Sequence, residues 1–127
     1  MSYYLAIDIG ASSGRHILGS IEDGKIKLEE IYRFENGISK IGDEYCWDIQ
    51  GLFNEIKKGI KKCKEIGKVP KNIGIDTWAV DFVLLDENDE MLGNAVAYRD
   101  DRTDGYMEKA FQVIPQDMLY LYTGIQF

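Results

Sequence analysis

An α/β fold built on a mixed sheet is what this chain predicts, and three observations predict it. Two hairpin signals stand near the start, an amphipathic helix with a period of about 3.6 residues follows, and an extended run comes directly after that helix. Antiparallel strands joined by tight turns, a crossover helix and a strand returning parallel to the first give a mixed sheet opened by a meander. The 127 residues fit one domain, residues 1–127, and a hydrophobic share of 45% supplies the apolar side chains for a core.

Tyr3 to Ile9 is apolar and β-rich, and Arg15 to Ile21 resumes an extended pattern, so Gly10 to Gly14 reads as the turn between two strands. Glu22-Asp23-Gly24-Lys25 is a second turn, and Ile26 to Phe34 is a third strand. Asn36 to Gly42 reads as loop by composition, and Glu44 to Trp47 as a short extended piece. Asp48 suits a helix N-cap, after which Leu52, Phe53, Ile56, Ile60 and Cys63 recur on one helical face. Lys57, Lys58, Lys61, Lys62 and Lys64 cover the rest as a solvated surface, and the later ones complement the helix dipole. Gly67 and Pro70 stop the helix, and Asn72 to Thr77 is the strand expected beside and parallel to the first.

Val80 to Leu85 and Leu92 to Tyr98 read as further strands around the acidic turn Asp86 to Glu90. Tyr106 to Ile114 and Pro115 to Tyr122 are short helical segments, the second opened by a proline at an early helical position. Meander, helix, then strand is the order of a ribonuclease-H-like domain, the unit of the actin-like ATPase architecture. It is not the regular βαβ alternation of a doubly wound sheet.

Composition narrows the function. A net charge of −7 and a pI near 4.7 argue against a nucleic acid or an anionic membrane as partner, since both call for basic patches. No apolar run is long enough to span a bilayer, and Met1-Ser2-Tyr3 leads straight into a strand, so the cytoplasm is expected. Cys46 and Cys63 fit neither a redox pair nor a zinc ribbon and are expected as reduced, buried thiols. His16, the sole histidine, has no ligand-spaced partner and is expected to be structural.

The chemistry concentrates in Leu5-Ala6-Ile7-Asp8-Ile9-Gly10-Ala11-Ser12-Ser13-Gly14-Arg15. Small residues in a turn let backbone amides and the Ser12 and Ser13 hydroxyls converge on an anion. Asp8 at the strand end would repel a phosphate unless a cation lies between them, so the ligand implied is a nucleotide with Mg²⁺. A plain glycine-containing hairpin is the other reading of the same residues. Neither a Walker loop nor a Rossmann fingerprint is present, because no lysine follows Gly14 and a strand comes next.

Gly74-Ile75-Asp76-Thr77-Trp78-Ala79-Val80-Asp81-Phe82 sets two aspartates around an aromatic, both expected to open into one cleft. Carboxylates beside an indole suit a polyol or sugar, accepting from hydroxyls while the ring packs on the C–H face. A turn-capping aspartate and a core tryptophan would explain the residues equally. Ala97-Tyr98-Arg99-Asp100-Asp101-Arg102-Thr103 is a dense polar loop, either a binding element or surface ion pairing, with Asp104 available to cap the next helix.

The stretches DIGASSGR, YRFENG, IGIDTWAVDFVLLD, AYRDDRT and YTGIQF, in that order, resemble the FGGY family of carbohydrate kinases from the first strand to the last residue. The GASSGR form of the loop and the long TWAVDFVLLD stretch are most similar to the rhamnulose-phosphorylating branch. The resemblance implies transfer of the ATP γ-phosphate to the primary hydroxyl of L-rhamnulose, with Mg²⁺. Ala11, Ser12, Ser13, Gly14 and Arg15 match the family's ATP-binding loop, and Asp8 matches the aspartate that holds Mg²⁺. Position 79 matches a sugar-binding glycine and here is Ala79, where a backbone contact tolerates the methyl. Trp78, Asp81 and Tyr98 join it, on their own chemistry, as walls and hydroxyl acceptors of the sugar pocket.

Members of that family carry two ribonuclease-H-like domains, with the general base in the later part. Hence no catalytic residue is assigned here. The chain reads as the N-terminal part of the first domain, with the second absent, and is expected to be catalytically silent alone. A kinase for another ketose or polyol, or a non-catalytic nucleotide-binding module, are the alternatives. Oligomeric state is left open.

Overall fold

The computed structural model describes residues 1–127. Strand β1 (Tyr3–Ile9) pairs antiparallel with β2 (Ser13–Glu22), which pairs antiparallel with β3 (Lys25–Glu35). Helix α1 (Ile49–Glu65) then carries the chain over one face, and β6 (Pro70–Thr77) returns parallel to β1, giving the order β3-β2-β1-β6. This is the mixed sheet with an antiparallel meander that the sequence predicts. Asp23 and Gly24, both at positive φ (50° and 72°), make the tight β2–β3 turn.

Helix α1 begins where the N-cap reading placed it: Asp48 Oδ1 accepts from the Gly51 amide at 2.8 Å. Leu5, Ile7, Ile9, Leu18 and Phe34 on the sheet bury themselves against Cys63, with Leu52 and Ile56 of α1 packed on them. His16 is fully buried in the same layer, in contact with Gly59, and a Cβ on Gly59 would overlap the ring at Cδ2, Nε2 and Cε1. Its Nε2 lies 3.2 Å from the Ile56 carbonyl oxygen, which can only accept, so the proton sits on Nε2. The histidine is structural, as its isolation implied. Both cysteines are free and buried, and burial pushes both thiols up from their ordinary values.

Three expectations fail, each for a local reason. Asn36 to Gly42 is not all loop: β4 (Ile38–Ile41) pairs with β5 (Glu44–Trp47) through the two-residue turn Gly42-Asp43, with Gly42 at φ 63°. Val80 to Leu85 is not a strand. Val80 takes a left-handed φ of 75°, which interrupts an extended run at once, and only Leu85 bridges, to Met91. Leu92 to Tyr98 shrinks to β7 (Ala95–Val96), which completes the second sheet β4-β5-β7.

The acidic turn survives, since Asp86 Oδ1 accepts from the amides of Asn88 and Glu90. Helices α2 (Tyr106–Val113) and α3 (Gln116–Thr123) follow, as expected. Asp104 does not cap α2, whose N-cap is Gly105; Asp100 instead caps the short 3-10 turn Asp101–Thr103. Buried Asp100 also accepts from the Tyr45 amide at 2.7 Å, and these backbone donors hold its carboxyl below the usual range. The dense loop is thus fastened to β5. No helix is long and apolar enough to cross a membrane.

Candidate functional site

The turn after β1 is tighter than the sequence suggests. Ser13 and Gly14 already belong to β2, opposite Glu35 and Phe34, so Gly10, Ala11 and Ser12 form the loop. Gly14 is buried, and a Cβ there would overlap the Phe34 ring, so its missing side chain serves packing beneath β3. The loop closes on itself through the Gly10 amide and the Ser13 carbonyl oxygen at 2.9 Å. Asn36, just past β3, donates its backbone N–H to the Ser12 carbonyl (3.0 Å) and its Nδ2 to the Gly10 carbonyl (2.9 Å). The amides of Ala11 and Ser12 take part in no backbone hydrogen bond and are free for an outside acceptor.

Strand register assembles a row of charge on the sheet face away from α1. Asp76, Asp8, Arg15 and Arg33 stand opposite one another on β6, β1, β2 and β3. Arg15 Nε is 3.1 Å from Asp8 Oδ2, close enough for an ion pair but not aligned for a hydrogen bond. Arg33 bonds Glu30. Asp8 therefore sits beside the loop with its carboxylate 48% exposed and a second carboxylate one strand away.

Asp76 and Asp81 do not share a cleft, contrary to expectation. Parallel pairing with Asp8 puts Asp76 on the open face, whereas the left-handed turn at Val80 sends Asp81 to the α1 side. There Asp81 Oδ2 accepts from the indole N–H of Trp47 (2.7 Å) and of Trp78 (2.8 Å). The two indoles lie with centroids 4.3 Å apart, and the Tyr98 ring lies 6.4 Å from Trp47. The two indoles, but not Tyr98, border a pocket of about 330 Å³ that is apolar apart from Thr77 and Asp81. Ala79 is exposed beside this wall at negative φ, so no glycine conformation is demanded there.

Loop and wall are contiguous. Ala11 packs against the cluster of Trp47, Ala95 and Ala97, on which Trp78 also rests. Two free backbone amides, the Asp8 carboxylate and an aromatic wall carrying Asp81 thus lie at one end of the sheet, Asp8 on the face away from the wall. For a divalent cation the fit is of a limited kind. The chain brings together no trio of potential ligands, but Mg²⁺ held with phosphates uses one or two carboxylates and keeps its waters. Asp8 meets that requirement.

The N-terminal domain of the FGGY family of carbohydrate kinases matches residues 3–127. The chain belongs to that family. The FGGY domain is 58% identical over 127 residues to a rhamnulokinase of Halalkalibacterium halodurans, covering 100% of this chain and 27% of the relative. It is 46% identical over 124 residues to a rhamnulokinase of Bacillus subtilis, covering 98% of this chain and 26% of the relative. The chain therefore spans about a quarter of the length of the curated relatives it matches. Among solved structures, a gluconate kinase from Lactobacillus acidophilus superposes with TM-score 0.78 over 98% of this chain and 25% of that one, at 17% identity. A ligand-bound xylulose kinase from the same organism gives 0.76 over 95% of this chain and 24% of that one, at 15% identity. These likenesses show the actin-like fold.

Two residues of this FGGY domain that belong to the site escaped the sequence reading. Trp47 lies in a short strand far from Trp78 in sequence, and the two meet only in the fold, through their shared acceptor Asp81 and the cluster with Ala95 and Ala97. Asn36 sits inside the YRFENG stretch. An asparagine directly after a strand that ends opposite a glycine loop is the signal that could have singled it out.

Proposed function

We propose that this chain is the N-terminal part of an ATP-dependent kinase that phosphorylates L-rhamnulose at its 1-hydroxyl. The observation that carries the reading is identity of 43–58% to rhamnulokinases across essentially the whole chain. The geometry supports it with a loop whose free amides at Ala11 and Ser12 suit a terminal phosphate.

In this reading Ala11, Ser12, Ser13, Gly14 and Arg15 form the ATP-phosphate loop, with Arg15 and Ser13 as donors. Asp8 holds Mg²⁺ directly or through water, and the ion, when bound, neutralises charge on the phosphates. Ala79, Trp78, Asp81 and Tyr98 form one wall of the sugar site, with Trp47 behind them. The indoles offer a face to C–H groups, and the carboxylate oxygen of Asp81 not engaged by them accepts a hydroxyl. Positioning supplies most of the acceleration in such a transfer, and the base that accepts the hydroxyl proton belongs to the part of the kinase beyond this chain. Closure of two domains over both substrates keeps water from the phosphate, so this chain alone turns nothing over. The enzyme works in the cytoplasm on a small sugar and ATP, with no nucleic-acid or membrane partner.

The test is a chimera in which this chain replaces the matching region of the Halalkalibacterium halodurans relative. ADP release that depends on L-rhamnulose supports the reading. A folded chimera that binds neither ATP nor the sugar overturns it.

A further inference from the structure

We infer that Asn36 is a positioning residue that holds the phosphate loop in its anion-accepting orientation, an inference that rests on the ATP reading above. Two of the loop's carbonyls end on this one residue. The Gly10 oxygen accepts from Asn36 Nδ2 at 2.9 Å, and the Ser12 oxygen accepts from the Asn36 backbone N–H at 3.0 Å. Every peptide bond in the chain is trans, and in a trans peptide the C=O and the N–H of the same plane point in opposite directions. Pinning the Gly10 carbonyl toward Asn36 therefore turns the N–H of Ala11, one of the two free amides, the other way, while the bond to the Ser12 carbonyl fixes the far end of the loop.

A peptide flip would present a carbonyl oxygen to the phosphate instead, replacing attraction by repulsion. Small-residue loops flip readily because few side chains oppose it. Asn36 removes that freedom with the side-chain bond to Gly10, and its own amide group is fixed because Oδ1 accepts from the Gly37 N–H at 2.9 Å. Each atom of the amide is thereby assigned, since a carbonyl demands the NH₂ and an N–H demands the oxygen. Ala11 also packs against the cluster of Trp47, Ala95 and Ala97. The loop is organised before its ligand arrives, which is where fixed donors are most effective.

Asn36→Ala removes the bond to Gly10 and leaves the backbone bond to Ser12. In the chimera described above, KM for ATP rises about tenfold, the effect of one lost hydrogen bond at a preorganised site, while KM for L-rhamnulose stays within about twofold. Asn36→Ser, which keeps a polar group at the turn but cannot reach Gly10, gives the same split if the alanine variant folds poorly. An unchanged KM for ATP in an active variant, or equal shifts for ATP and sugar, overturns the latch and leaves the kinase reading standing. A wild-type chimera that binds no ATP removes both.

Discussion

Trp47 and Trp78 share one acceptor: both indole N–H groups donate to Asp81 Oδ2, at 2.7 and 2.8 Å, with the rings 4.3 Å apart and tilted by 40°. The chain contains two tryptophans, so any indole signal reports on this pair alone. Asp81→Leu leaves the buried Trp47 N–H without an acceptor, at roughly 1–3 kcal/mol, and frees the rings from each other. The coupled indole signal in circular dichroism should vanish in that variant. It should persist in Asp81→Asn, whose carbonyl oxygen still accepts from both. An unchanged spectrum for Asp81→Leu would show that packing alone holds the pair.

Asp81→Asn also separates the two oxygens. With the indoles still held, only the second oxygen changes, to an NH₂ that cannot accept. In the chimera this variant should weaken L-rhamnulose binding more than ATP binding. Equal losses for both ligands would make Asp81 structural and nothing more.

The meander, the crossover helix and its aspartate cap were legible in the sequence because each rests on local signals: Asp23-Gly24, the apolar spacing from Leu52 to Cys63, and Asp48. The fate of Val80 to Leu85 was not. A left-handed valine is disfavoured by its branched side chain, so no propensity argument points to one, and the turn it makes decides where Asp81 goes. The charged row Asp76, Asp8, Arg15, Arg33 was hidden for another reason. It exists only through the register of four strands, and register is a property of pairing rather than of any one segment.

Gly59 is a notch for His16. Alanine there gains about 1 kcal/mol of helix propensity but drives a methyl into a fully buried ring, and overpacking of that kind typically costs about 1–3 kcal/mol. Gly59→Ala should therefore lower the urea midpoint even though it favours the helix. A rise in the midpoint would mean that His16 moves aside without penalty.

Burial holds the His16 imidazole below its ordinary value of 6.5, offset only in part by the Ile56 carbonyl and by Glu55. Below that value the unfolded chain binds a proton that the folded chain refuses. Stability is thus fully present above about pH 6.5 and is lost as pH falls toward the depressed folded value, by at most about 1.4 kcal/mol per pH unit. Urea midpoints should be level between pH 8 and 7 and decline as the pH falls below about 6.5. A level profile throughout would show that the buried ring accepts its proton in the folded state.

Asp8 lies on the open face beside the loop, away from the tryptophan wall. Asp8→Ala in the chimera should abolish turnover with only a modest loss of sugar binding, measured by isothermal titration with L-rhamnulose. Turnover at the unsubstituted rate would exclude Asp8 from the phosphate site.

The rhamnulose assignment is decided by kcat/KM of the chimera for ATP-dependent phosphorylation of L-rhamnulose, L-fuculose, D-xylulose, L-ribulose and glycerol, with the intact Halalkalibacterium halodurans relative measured alongside. A clear preference for L-rhamnulose that matches the relative's is expected. Preference for another ketose or for glycerol would contradict the rhamnulose assignment while keeping the fold and the phosphate loop, and silence on all five would favour a nucleotide-binding module without phosphoryl transfer.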